Sequence, residues 1–99
     1  MNKEKTMKHY IIVKFNDSVS VNGLVEPIKE LFNESLKIEG VDAVNIYVSN
    51  TNLQNRHDLM IEMKLTQLGL SNFDNSEIHK KWKSEYGQYI INKTIFDCD

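Results

Sequence analysis

Three segments of the chain show the two-residue alternation that is typical of β-strands. The most regular is Asp58–Leu65, which has one wholly apolar face and one mixed face. In His9–Phe15 and Val41–Val48, both faces carry apolar side chains. Since a sheet face in water normally carries polar side chains, something must cover both sides of these two strands.

Apolar side chains spaced three and four residues apart follow the first strand and predict an amphipathic helix. Pro27 is tolerated only near the start of a helix, because proline has no N–H to donate. We therefore expect the helix to begin within a few residues of Val25 and to end near Ile38, before Gly40. Its apolar face would consist of Leu24, Ile28, Leu31, Phe32 and Leu36.

A second helix is predicted over Ser76–Tyr86, after a short helical turn that Thr66 can cap and that runs through Phe73. Asn75 or Ser76 can accept hydrogen bonds from its first turn, and Gly87 can take the left-handed conformation that ends a helix. Its apolar face would consist of Ile78, Trp82 and Tyr86.

The chain is rich in Ile, Tyr, Thr and Phe over Tyr89–Phe96, which predicts a last strand buried on both sides for much of its length. The order strand, helix, strand, strand, helical pair, strand predicts an α+β, ferredoxin-like (βαββαβ) fold with an antiparallel four-stranded sheet. We expect residues 1–8 to be a flexible N-terminus and residues 9–99 to form a single domain.

In such a fold the helices cover only one face of the sheet. The other face would carry too much apolar surface for a monomer in water, at about 25 cal/mol per Å². We therefore expect a homodimer that packs the helix-free faces together. The apolar residues assigned to that face are Tyr10, Ile12, Val44, Ile46, Val48 and Met60.

Composition narrows the classes of partner. The formal net charge is −2, and the charges are mixed along the chain, so the basic footprint of a nucleic-acid-binding protein is missing. No apolar run approaches the roughly 18 residues of a membrane span, so no membrane association is expected. The single cysteine, Cys98, cannot form an internal disulfide, and we expect a cytoplasmic protein. No histidine has a second ligand at helical spacing, so neither a metal nor another cofactor is predicted.

Several short stretches, taken in order, resemble the stress-responsive A/B barrel (Dabb) family. They are KHYIIVKFND, IEGV, HDLMIEMKL, the helix histidine His79, and IFD at residues 95–97. The resemblance covers nearly the whole chain and implies a dimeric α+β barrel built from two ferredoxin-like protomers. Some members of that family are polyketide cyclases. Their pattern implies a catalytic histidine at His79, a strand histidine at His9, and Phe73 in place of a tyrosine that holds the substrate.

These residues leave three classes of function open. The first is a small homodimeric module that binds an apolar or phenolic ligand between sheet and helices, through His79, His9, Phe73, Trp82 and Tyr86. The second is an enzyme, of polyketide-cyclase-like or small-monooxygenase-like type, in which His79 or His9 acts as general base. The third is a purely structural dimerisation module, in which His79 only bonds a backbone carbonyl. We expect binding rather than catalysis, because Phe73 has no hydroxyl to polarise a substrate.

Overall fold

The computed structural model describes residues 5–99 and has the predicted ferredoxin-like fold, with one antiparallel sheet and helices on one side of it. Two short 3₁₀ segments, Glu34–Lys37 and Gly87–Tyr89, follow the first and last helices. The main elements are β1 (Thr6–Phe15), α1 (Val21–Asn33), β2 (Val41–Val48), β3 (Leu59–Thr66), α2 (Gln67–Asp74), α3 (Glu77–Tyr86) and β4 (Ile90–Cys98).

The strands lie in the order β2-β3-β1-β4, and every neighbouring pair is antiparallel. The odd-numbered residues of β1 face the helices: Ile11 stands opposite Ile61 of β3 and Ile95 of β4. The even-numbered residues, such as Tyr10 and Ile12, face the helix-free side. This division matters for function because the two faces have different chemistry.

The core lies between the sheet and the helices. Ile28 and Phe32 of α1, Phe73 of α2 and Trp82 of α3 are at most 2% exposed. The three aromatic rings contact one another in series: the Phe32 centroid lies 5.9 Å from that of Phe73 and 5.0 Å from that of Trp82. The three helices are therefore fixed to one another largely by aromatic packing.

Two of the predicted helix starts are confirmed in detail. The Thr66 hydroxyl accepts from the Gly69 N–H at 3.0 Å, and the Ser76 hydroxyl accepts from the His79 N–H at 3.2 Å. Gly40 ends the first helical region with φ of +95°, and its carbonyl accepts from the Thr66 N–H at 2.8 Å. A Cβ built on Gly69 would lie 2.3 Å from that same carbonyl oxygen, so the two glycines permit a close backbone contact between α2 and the start of β2.

Three predicted boundaries are wrong. Helix α1 begins at Val21, so Pro27 lies in its second turn, where it removes the bond that a residue-27 N–H would donate to the Gly23 carbonyl. Gly87 has φ of −55° and continues into the 3₁₀ turn instead of ending α3 in a left-handed conformation. Strand β1 begins at Thr6, because residues 6–8 already pair with β3 and Lys8 pairs with Cys98 of β4. Of the expected flexible N-terminus, residues 1–4 lie outside the described residues.

The burial predicted for the last strand is also wrong. Strand β4 is an edge strand that pairs only with β1, and residues 91–97 are all exposed. Phe96 is 57% exposed and Ile95 is 47% exposed. Apolar density alone therefore did not distinguish an edge strand from a central one.

The assignment of Val44, Ile46 and Val48 to the helix-free face is wrong. In the register of β2 and β3, Val44 stands opposite Met63 and Ile46 opposite Ile61, both of which are buried under the helices. The register shifts between Val41 and Ala43, so both Val41 and Val44 reach the helix side although they are three residues apart. Tyr10, Ile12 and Met60 remain on the helix-free face.

Candidate functional site

A cavity of about 320 Å³ lies between the β1–β4 side of the sheet and the helices α2 and α3. This volume falls within the range of small-molecule sites, roughly 300 to 1,000 Å³. Its polar lining comes from all four of these elements and consists of His9, Asp74, His79, Lys93 and Asp97.

His9 reaches the cavity from the helix side of β1 and is only 6% exposed. The sheet register places Asp97 of β4 opposite it, and His9 Nδ1 lies 2.5 Å from Asp97 Oδ1. An ionised carboxylate can only accept a hydrogen bond, so Nδ1 carries a proton and donates it. In the neutral ring Nε2 is then an acceptor, and no group within residues 5–99 bonds to it.

His79 is held between the start of α3 and the end of α2. Its backbone N–H donates to Ser76, and its ring Nδ1 lies 3.1 Å from the Asp74 carbonyl oxygen. Because a carbonyl oxygen also only accepts, Nδ1 is the donor here too, and Nε2 is an acceptor in the neutral ring. The ring packs against Phe73 with centroids 5.1 Å apart. Both histidines of the cavity are thus held in the same tautomer.

The apolar lining consists of Ile11, Leu70, Trp82 and Ile95. Trp82 is 2% exposed and stacks on Tyr86 with ring centroids 5.5 Å apart. No group of the described chain accepts a hydrogen bond from its indole N–H. Since no buried polar side-chain atom of residues 5–99 lacks a partner, this N–H is open to solvent at the cavity wall.

The structure brings together three of the five residues predicted to bind a ligand: His79, His9 and Trp82. Phe73 and Tyr86 do not line the cavity. Phe73 lies behind His79 in the core with no exposure, and Tyr86 lies beyond Trp82, where burial raises the pKa of its hydroxyl. Phe73 therefore supports the His79 ring from behind instead of facing a ligand.

Sequence reasoning missed Asp97, Lys93 and Asp74 as lining residues. The first two lie on β4 at positions 93 and 97, with Ile95 between them, so all three share the helix-side parity of the strand. The available signal was the presence of two charged side chains, one on either side of Ile95, on one face of this strand. Asp74 is the last residue of α2, and it contacts His79 through its backbone carbonyl. A pattern of side chains gives no information about such a backbone contact.

The helix-free face carries a second polar arrangement, centred on Glu62 of β3. Its carboxylate accepts from the Tyr10 hydroxyl at 2.7 Å, the Asn45 amide at 3.1 Å and the Tyr47 hydroxyl at 3.2 Å. The Tyr10 bond lowers the pKa of Glu62, and the same bond raises the pKa of Tyr10 to about 12. Tyr10 also stacks on Phe96 with centroids 6.4 Å apart. The face therefore carries aromatic side chains around a carboxylate that has its own donors, and Lys8, Lys14 and Lys64 share the same strand parity.

Among residues 5–99, no group of three or more His, Cys, Asp or Glu side chains is placed to hold a metal ion. Within the same part of the chain, no helix is long and apolar enough to cross a membrane.

Neither a protein-family model nor a curated protein sequence matches the chain. Solved structures do match it along almost its whole length. A dimeric ferredoxin-like protein of unknown function from Thermobifida fusca superposes with a TM-score of 0.77 at 12% identity, covering 97% of both chains. A protein of unknown function from Bacteroides thetaiotaomicron, described as a possible oxidoreductase, gives 0.76 at 19% identity, covering 96% of this chain and 97% of that one.

A hydroxynitrile lyase from Passiflora edulis has a TM-score of 0.75 at 9% identity and covers 96% of this chain and 93% of its own. At these identities the similarity shows the fold alone. The ferredoxin-like fold is thus shared with proteins of unassigned role and with an enzyme, and activity has to be argued from the site.

Proposed function

We propose that this chain is a small homodimeric protein of the stress-responsive A/B barrel type that binds a small apolar or phenolic ligand in the cavity between sheet and helices. The observation that carries the proposal is the convergence of His9, His79 and Trp82 on one cavity of about 320 Å³. These residues come from two separate elements: His9 from β1, and His79 and Trp82 from α3. An incidental surface depression would not be expected to collect two oriented imidazoles and the single tryptophan of the chain.

The chemistry of the lining favours a phenol over a plain hydrocarbon. Both histidines hold Nδ1 as a donor to a protein oxygen, so their Nε2 atoms accept hydrogen bonds. A ligand hydroxyl would satisfy one of these acceptors, and Ile11, Trp82 and Ile95 would cover the ring. Leaving such an acceptor unpaired under an apolar ligand would cost about 1–3 kcal/mol.

The homodimer is proposed to form through the helix-free face. Tyr10, Ile12 and Met60 lie there at intermediate exposure, and Phe96 and Tyr47 are exposed. The only carboxylate at the centre of this cluster, Glu62, already has three donors within the chain, so covering it leaves it hydrogen-bonded. The dimeric neighbour from Thermobifida fusca supports the proposal. Sedimentation that finds a monomer at micromolar concentration would contradict it.

The binding proposal is tested most directly through Trp82, because it is the only tryptophan and it lines the cavity. A para-alkylphenol and its methyl ether have the same apolar body, but only the phenol has a hydroxyl to donate. We expect both to change the fluorescence of Trp82 and the phenol to bind more tightly. At 100 times its Kd the phenol should add about 2.7 kcal/mol of stability.

The variant His79→Ala should weaken binding of the phenol more than that of the ether, because the ether makes no hydrogen bond to lose. Lys81→Ala, on the exposed side of the same helix, is the control and should leave both unchanged. If no apolar or phenolic compound alters either the fluorescence or the melting temperature, the ligand-binding proposal fails and the structural dimerisation module becomes the better reading.

An enzyme is the second candidate, and the observation that favours it is the carboxylate paired with His9 at the cavity wall. A cyclase of the type that the family resemblance implies would still lack a hydroxyl at Phe73. Cyclisation of a linear polyketide thioester by the purified protein, lost in His79→Ala, would move this candidate to first place.

A further inference from the structure

We propose that His9 and Asp97 form a proton-accepting pair that binds a phenolic ligand in its ionised form. This inference rests on the proposed function and adds to it the state in which the ligand is held. It assigns the proton transfer to the strand histidine instead of the helix histidine His79.

The geometry distinguishes the two histidines. The Nδ1 proton of His9 lies against a carboxylate, whereas that of His79 lies against the Asp74 backbone carbonyl. When a ring takes a second proton, the carboxylate neutralises the new charge, and the neutral carbonyl does not. His9 is also the more buried of the two rings, so an uncompensated charge on it would cost more. Its partner Asp97 is the group that compensates this charge.

The proton transfer balances without any further reactant. The phenol O–H bond breaks as an N–H bond forms at His9 Nε2, so a neutral ligand and a neutral imidazole become a phenolate and an imidazolium. The imidazolium then donates from Nε2 to the phenolate oxygen and from Nδ1 to Asp97. Three other charged or titratable groups line the same cavity: Asp74 on α2, His79 on α3 and Lys93 on β4. Lys93 is the competing source of phenolate stabilisation, and the test has to separate it from the pair.

The sheet itself sets this pair. His9 and Asp97 are directly opposite in the antiparallel register of β1 and β4, so their side chains leave the same face side by side. Asp97 is therefore a positioning residue in this proposal: it fixes the tautomer and the charge of His9, and the ligand is contacted by His9.

The experiment uses 4-nitrophenol as the probe, since its neutral and ionised forms absorb at different wavelengths. At a pH where the free probe is mainly neutral, saturation of the protein should produce the phenolate band. In Asp97→Asn the amide can donate to His9 Nδ1 and hold the proton on Nε2, so the probe should bind without the phenolate band. Asp42→Asn, the same change at an exposed position on β2, should leave the band as in the unmodified protein.

Two further variants separate the histidines and the lysine. His79→Gln should leave the bound probe ionised, because the proton is transferred to His9 and not to His79. A band that disappears in Lys93→Met and survives in Asp97→Asn would overturn the assignment to His9.

The proton position in the free protein gives a second measurement that needs no variant. Nitrogen NMR should find His9 with a protonated Nδ1 and an unprotonated Nε2, and the opposite tautomer would overturn the proposal. A phenol that binds, as Trp82 fluorescence reports, but stays neutral would refute this inference and leave the proposed function standing. If no phenol binds, this inference fails; if no apolar compound binds either, the proposed function fails with it.

Discussion

The close contact between Gly40 and Gly69 predicts a substitution whose effect can be worked out from distances. A Cβ on Gly69 would lie 2.3 Å from the Gly40 carbonyl oxygen and 2.5 Å from its carbonyl carbon. Both are backbone atoms, so no side chain can rotate away, and α2 has to separate from the start of β2. Gly69→Ala should therefore destabilise the protein and also shift Leu70 and Asp74, which line the cavity.

Two unfavourable contributions and one favourable contribution determine the change in the free energy of unfolding. Overpacking in a tight contact costs about 1–3 kcal/mol. Movement of Gly40 would also weaken the 2.8 Å bond from the Thr66 N–H to its carbonyl, worth about 0.5–1.5 kcal/mol. Alanine returns about 1 kcal/mol through its better helix propensity. The net loss is about 0.5–3.5 kcal/mol, or roughly 2 to 17 °C in Tm for a domain of this length.

Thermal unfolding at fixed protein concentration measures this loss, and Gly87→Ala is the matched control. Gly87 has φ of −55°, and a Cβ there meets nothing within 4 Å, so alanine should be tolerated and should stabilise by about 0.4–1 kcal/mol. The reasoning is refuted if Gly69→Ala melts at or above the temperature of the unmodified protein while Gly87→Ala behaves as expected.

The other predictions concern the sheet faces and the core. Ile12→Glu should weaken the dimer far more than Lys81→Glu in sedimentation experiments, because it buries an unpaired charge. Phe73→Tyr should lower the free energy of unfolding in urea by about 1–3 kcal/mol, because its hydroxyl would enter a fully buried position. The pKa of Tyr10 is raised to about 12. The bond from Tyr10 to Glu62 therefore contributes fully to stability below the ordinary pKa of 10.0, and this contribution is lost as pH rises through about 12. Glu62→Gln should return the spectroscopic titration of Tyr10 toward 10.0. For Glu62, whose pKa is lowered, the contribution is present above 4.5 and is lost as pH falls through the lowered value.

The features that predicted the fold involve interactions between residues close together in the sequence. Thr66 and Ser76 cap helices through bonds to the residue three positions later, and both bonds are formed as expected. The same locality explains the failure at β2. Alternation divides the residues of a strand into two faces, but only the register with β3 decides which face of β2 lies against the helices. The register shift between Val41 and Ala43 also reverses which residues lie on that face from that point on.

The candidate site was predictable only in part, for the same physical reason. His9, His79 and Trp82 are residue types that attract attention wherever they occur. Asp97 became a site residue through its pairing with a residue 88 positions earlier in the chain, which is a property of the β1–β4 register and not of the surrounding sequence.

Strand β1 connects the two proposed roles of the protein, and its geometry makes them separable. His9 lies against Asp97 on the helix side, and the next residue, Tyr10, bonds Glu62 on the helix-free side. Because successive side chains of a strand point to opposite faces, the two share no partner. His9→Gln should therefore change ligand binding at unchanged dimer affinity, and Tyr10→Phe should change the dimer or the titration of Glu62 at unchanged ligand affinity. Coupling between the two measurements would mean that the cavity and the dimer face communicate through β1 itself, since within residues 5–99 His9 and Tyr10 have different hydrogen-bond partners.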